Sequence, residues 1–170
     1  MERPLVQIYE ILQKMVGLHR QMLEITRAER ESLIQANLEE IQKVLAIKQS
    51  LIEAIHQAET QRIKSTAELA VIWRKTPAEL TLKNIILKVQ GVDQKAAEQF
   101  RSAFNTLTLL IQRVMDQNAD NRSLLDQSME HIQKMKQNVL GESSQKGTTY
   151  TPQGQQLKQN TSPRFISKEI

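Results

Sequence analysis

Glu53-Ala-Ile-His56 carries the Glu-x-x-His spacing with which helical di-iron bundles bring a carboxylate and an imidazole to one metal from one helix face. Such a centre needs a second copy of the motif and two further glutamates. Val16 lies three positions before His19, and Ser128 three before His131, so no second copy exists. Ile55 is the better seam residue, which leaves His56 at the edge and makes Glu53 and His56 a solvent-facing pair. His19 falls inside an apolar seam and reads as a partly buried packing residue. None of the three histidines has a serine or aspartate constellation around it. The chain has no cysteine, which removes thiolate catalysis, disulfides and Cys-ligated zinc together. GxxxxGKS/T, GxGxxG, GxSxG and HExxH are all missing. The expectation is therefore a protein that is not an enzyme, with no catalytic residue, no metal site and no cofactor.

The elements that would have to position any site are helical. Of 170 residues, 39% are hydrophobic and 25% charged, enough for a buried core, while aromatics make up 4% and glycines number 5. That scarcity argues against a sheet protein, whose strands and turns use both. Leu, Ile, Gln, Glu, Lys and Ala dominate, all compatible with long helices. The opening MERPLVQIYEILQKM has charges spaced through it and no apolar core of a secretory signal. No stretch approaches 18 apolar residues. A cytoplasmic location without stable membrane insertion is expected. The net charge is +4, with both signs interspersed, which reads as a solvated surface rather than the basic stripe of a nucleic-acid binder.

Leu5, Ile8, Leu12, Met15 and Met22, widened by Val16 and Leu23, alternate at three and four residues, the seam of a coiled coil. The spacing predicts a first helix over 3–35, with Pro4 in its first turn. Asn37 caps a restart, with Glu40 at the reciprocal position. The seam then continues through Ile41, Val44 or Leu45, Ile47, Leu51, Ile55 and Ala58 over 38–64. An antiparallel hairpin or one kinked helix would both satisfy this pattern. Ser65-Thr-Ala-Glu68 and Thr76-Pro-Ala-Glu79 resemble capping boxes and predict short helices over 66–74 and 77–90, stopped by Gly91. Trp73 is expected to plug the bundle end that this crossover spans.

The last helix is predicted over 93–140, its seam running Phe100, Phe104, Leu107, Ile111, Val114, Asn118, Asn121, Leu125, Ser128, Ile132, Met135, Val139. Residues 141–170 hold three of the five glycines and two of the four prolines, and read as a flexible tail. The fold expected is all-α: an elongated antiparallel bundle or coiled coil over 1–140, with three long helices, a short helical crossover and that tail. Asn118, Asn121 and Ser128 interrupt the last seam. Either they fix register, as buried polar residues do in coiled coils, or the partner helices diverge there. On the second reading Leu124, Leu125, Met129, Ile132, Met135, Val139 and Leu140 form an open, adaptable face for another chain's amphipathic helix.

The layout resembles the flagellar export chaperones called FlgN. Asn121-Arg-Ser-Leu-Leu-Asp-Gln-Ser128, followed by Met129 to Met135, is similar to the Asn-x-x-Leu-Leu-x-x-Ser segment late in that family's last helix. Thr149-Tyr-Thr-Pro-Gln-Gly154 is similar to its Tyr-x-x-x-Gly element, and Arg164-Phe-Ile-Ser-Lys168 to its basic, apolar close. The resemblance implies a type III export chaperone. It would bind the C-terminal region of hook–filament junction proteins and deliver them to the cytoplasmic domain of the export gate, without ATP or metal. Leu124, Leu125, Met129, Ile132, Met135 and Val139 would then bind the client, and Tyr150 would dock at the gate. A homo-oligomer is compatible with the pattern. The rival class is a structural or adaptor coiled coil with no client.

Overall fold

The computed structural model describes residues 2–144, with side chains through residue 138. Helix α1 spans Arg3–Ile34, and Pro4 occupies its first turn, where a missing N–H costs nothing. Leu5, Ile8, Leu12, Met15, Val16, Met22 and Leu23 are all buried, as their spacing requires. The helix ends where Ala36 turns into the left-handed region (φ 52°), an uncommon conformation for a residue with a Cβ. Asn37 then accepts a hydrogen bond from the Glu40 N–H at 3.2 Å and starts α2, Leu38–Trp73. The reciprocal bond from Glu40 is not made; its carboxylate faces Lys43 at 3.7 Å. Lys48 touches Glu29 beside this turn, and Trp73 shares a pocket with Leu5 at the far end, so α1 and α2 form an antiparallel hairpin.

Helix α2 does not restart at Ser65 as the capping pattern suggested. Ser65 and Thr66 are buried inside one continuous helix, and the Thr66 hydroxyl donates to the Arg62 carbonyl at 2.8 Å. Once that carbonyl satisfies the hydroxyl, it has no reason to cap a new helix. The α2 seam also differs from its apolar reading. Val44, Leu51, Ala58 and Ser65 are buried at intervals of seven, whereas Leu45 and Ile47 are exposed. Lys48 and Arg62 take intervening, half-buried seam positions.

The crossover is built by two caps. Thr76 and Glu79 close a true capping box, with Thr76 N–H and Oγ1 donating to Glu79 at 2.8 and 2.9 Å. These bonds, foremost that from the backbone, and Lys75 beside them hold the Glu79 carboxyl below its ordinary range. The box opens only a single 3₁₀ turn, Pro77–Glu79. Leu80 leaves helical geometry to bury its side chain, and Thr81 caps α3, Leu82–Gln90, by accepting from Asn84 N–H. Two pieces thus replace the single helix predicted over 77–90. Ile85, Ile86 and Val89 are the buried residues of α3. Trp73 packs against the core half-buried rather than sealing it, with Lys88 Nζ 4.0 Å from its ring centre.

Helix α4, Gln94–Ser144, begins at Asp93, whose carboxylate accepts from Ala96 N–H at 3.0 Å. Ala96, Ala97, Phe100, Ala103, Leu107 and Leu110 enter the core. Phe100 is fully buried and meets Tyr9 with the rings tilted by 56°, ring centres 5.3 Å apart. Ala103 and Leu110 take the buried positions, while Phe104 packs half-buried at the edge of the core and Ile111 is exposed. Phe100 lies by Tyr9, and Asn121 by Thr26, so α4 runs parallel to α1 and antiparallel to α2.

The polar interruption in α4 belongs to a buried network joining all three long helices. Lys48 donates to Glu29 at 2.6 Å and to Asn118 at 2.8 Å. Asn121 donates to Glu29 at 2.9 Å and to the Thr26 carbonyl at 2.8 Å. Gln117 completes it, donating to the Asn121 oxygen at 3.2 Å. The register reading of Asn118 and Asn121 therefore holds. Glu29→Ala leaves Lys48 and Asn121 without their shared acceptor, and should cost about 2–3 kcal/mol in urea unfolding followed by circular dichroism. Replacing Glu29, Lys48 and Asn121 together by Leu, Met and Leu should recover most of that loss.

Candidate partner-binding surface

His19 is buried, its Nδ1 2.8 Å from the Met15 carbonyl, an intrahelical contact of a packing residue. His56 is exposed, and Glu53 accepts from Gln49 at 3.2 Å. No group of three or more His, Asp or Glu among the described residues could hold a metal ion.

The chain divides into two compact units, Met1–Asp126 and Gln127–Ile170, taken separately here. In the first, the bundle's polar network ends at Asn121, which is buried. Leu124 is half-buried and Leu125 is 45% exposed. Arg122 reaches Asp126 at 4.0 Å on an exposed face, a pair of little energetic weight. In the second unit, described through residue 144, Met129, Ile132 and Met135 are 59%, 62% and 55% exposed. At 3.6 residues per turn their spacing keeps them within about a third of the helix circumference. Glu130 and Lys134 form a one-turn ion pair at 2.7 Å beside them. Ser128 is exposed. The Val139 side chain and Tyr150 lie outside the described residues.

A second apolar surface escaped the sequence reading. A groove of about 830 Å³ opens between α2 and α4 beneath the crossover, walled by Ile63, Phe104, Leu107 and Ile111. Ile63 and Ile111 are exposed. Arg62 on its rim is held by Glu59 at 2.6 Å, and this hydrogen bond raises the guanidinium pKa. Ile63 sits off the α2 heptad, and that displacement was the available signal.

The model of the FlgN protein family matches residues 4–158. The chain belongs to the FlgN family. That membership implies the role of a flagellar export chaperone. A curated relative, "Uncharacterized protein YvyG" of Bacillus subtilis (strain 168), is 26% identical over 125 residues, covering 74% of this chain and 74% of that protein. No solved structure matches. No helix among the described residues is long and apolar enough to cross a membrane. Contiguous large apolar side chains turned to solvent are a general mark of protein-binding surfaces.

Exposed and buried apolar positions should separate cleanly in thermal unfolding. Phe100→Ala should cost about 3–5 kcal/mol. Ile132→Glu should change stability by no more than about 0.5 kcal/mol, because its side chain already faces water.

Proposed function

We propose that the chain is a cytoplasmic chaperone of the flagellar type III export system. It binds the C-terminal region of hook–filament junction proteins and hands them to the cytoplasmic domain of the export gate. The observation that carries this reading is the exposure of Met129, Ile132 and Met135 along one helix face. A client's amphipathic helix laid on that face removes apolar area from water on both partners, at roughly 25 cal/mol per Å² before ordering costs. Methionine suits the task, since its unbranched thioether adapts to different client surfaces. Leu124 and Leu125, assigned to the same role, supply apolar area in the first unit, and Val139 continues the spacing in sequence. Neither a bound nucleotide nor a metal is required for such an exchange, and family membership supports the chaperone class.

Pull-down of a purified hook–filament junction protein tests the assignment. The Met129→Glu/Ile132→Glu/Met135→Glu variant should lose capture of the client's C-terminal region while its circular dichroism stays helical. Undiminished capture would remove this face as the client site. Leu125→Asp, measured alone, should weaken capture by about tenfold, the equivalent of about 1.4 kcal/mol.

Tyr150 is assigned to gate docking, because an aromatic ring supplies large contact area with few rotatable bonds. Tyr150→Ala should weaken binding to the purified gate domain and leave client affinity unchanged. Equal loss of both interactions, or of neither, would reject this division of labour.

A further inference from the structure

The crossover end of the bundle carries a concentration of positive charge that the client-binding reading does not use. Residues 71–95 contain Arg74, Lys75, Lys83, Lys88 and Lys95 against two carboxylates, Glu79 and Asp93. Both carboxylates are engaged as helix caps. Glu79 accepts from Thr76 N–H and Oγ1, and Asp93 accepts from Ala96 N–H. Lys75 shares Glu79 at 3.3 Å, while Lys88 lies over the Trp73 ring.

Large apolar side chains face water in the same segment. Leu87 is 66% exposed, on the outer face of a helix whose inner face is closed by Ile85, Ile86 and Val89. Val71, Ile72 and Val92 are exposed as well. A cleft of about 510 Å³ runs between α3 and the turn before it, lined by Lys75, Glu79, Leu80, Asn84, Leu87 and Lys88. Its polar floor is already paired, since Asn84 donates to the Glu79 carbonyl at 2.7 Å.

We propose that this cleft, with Lys75, Leu87 and Lys88 in its lining and Arg74 next to Lys75 in the chain, docks an acidic segment of a partner protein that carries a bulky apolar side chain. Charge complementarity selects the occupant. A cationic rim steers and orients anionic segments, and Leu87 in the cleft offers an apolar contact to an anchoring side chain. The concavity suits an inserted side chain better than a flat lipid surface. The chain's own residues 145–170 are poor candidates, because they carry Lys146, Lys158, Arg164 and Lys168 against one carboxylate, Glu169.

The chain's one tryptophan reports on the site, since Lys88 contacts Trp73 directly. The full-length protein is titrated with a synthetic dodecapeptide of Asp, Glu and Leu with one central Phe, and with its twin in which Lys replaces Asp and Glu. The acidic peptide should shift Trp73 emission saturably, more weakly at ~300 mM than at ~50 mM salt. The twin should leave the emission unchanged. Lys75→Gln/Leu87→Ser, which changes two residues of the cleft and retains the Lys88–Trp73 contact, should weaken the acidic peptide by about tenfold with an unchanged circular-dichroism melt. The Met129→Glu/Ile132→Glu/Met135→Glu variant should respond like the parent, which separates this site from the client face. Equal response to both peptides, or to neither, overturns the proposal. Binding to phosphatidylglycerol vesicles without peptide binding also overturns it, in favour of a membrane. Concentration-dependent self-association abolished by Leu87→Ser overturns it in favour of a second copy of the chain.

Discussion

Lys48 places an ammonium group at the junction of three helices, and the rest of the bundle is arranged around keeping it satisfied. Its partners are Glu29 on α1 and Asn118 on α4, and Asn121 returns a second bond to the same glutamate. A partly buried ion pair of this kind is not a strong source of stability, because desolvation offsets much of the attraction. Its value is geometric. A one-turn slip of any helix would separate the lysine from an acceptor or leave the glutamate unpaired, at a cost of several kcal/mol. Apolar stripes alone tolerate such slips, since leucine meets leucine in either register. The network therefore fixes axial alignment, and Val44, Leu51 and Ala58 are buried along the same helix.

This alignment also determines where the closed bundle ends. Asn121 is the last buried residue of α4 among those whose side chains are described. Core positions before it are filled by Phe100, Leu107 and Leu110, and the apolar residues after it in the first unit are half-buried or exposed. In the second unit Met129, Ile132 and Met135 are exposed. A protein that needed only to be stable would place polar residues at those positions. Retaining methionine and isoleucine there fits a family of flagellar export chaperones.

Local signals in the sequence were legible where the bonds that satisfy them are local. Asn37 caps α2 and Thr76 with Glu79 forms a capping box, because donor and acceptor lie within three residues of each other. Ser65 looked equivalent and was not, since burial of Ser65 and Thr66 against the neighbouring helices outweighed a cap that only solvent exposure would favour. The same competition moved Leu80 inward and split the crossover. Hydrophobicity was likewise a poor guide to the α2 seam, where two half-buried positions belong to Lys48 and Arg62 and their charges are met by Glu29 and Glu59.

By itself the sequence determined the all-α class, the limits of α1, the absence of catalytic motifs, the family and the residues of the late apolar stripe. Each follows from periodicity, capping chemistry or motif, which neighbouring residues encode without reference to the fold. Tertiary structure decided that α2 is one helix, that Asn118 and Asn121 lock register, and that a groove opens between α2 and α4. It also left Met129, Ile132 and Met135 facing water. Those outcomes depend on which side chains meet across α1, α2 and α4 at separations of tens of residues in the chain. A half-buried lysine finds its glutamate only after the helices have packed.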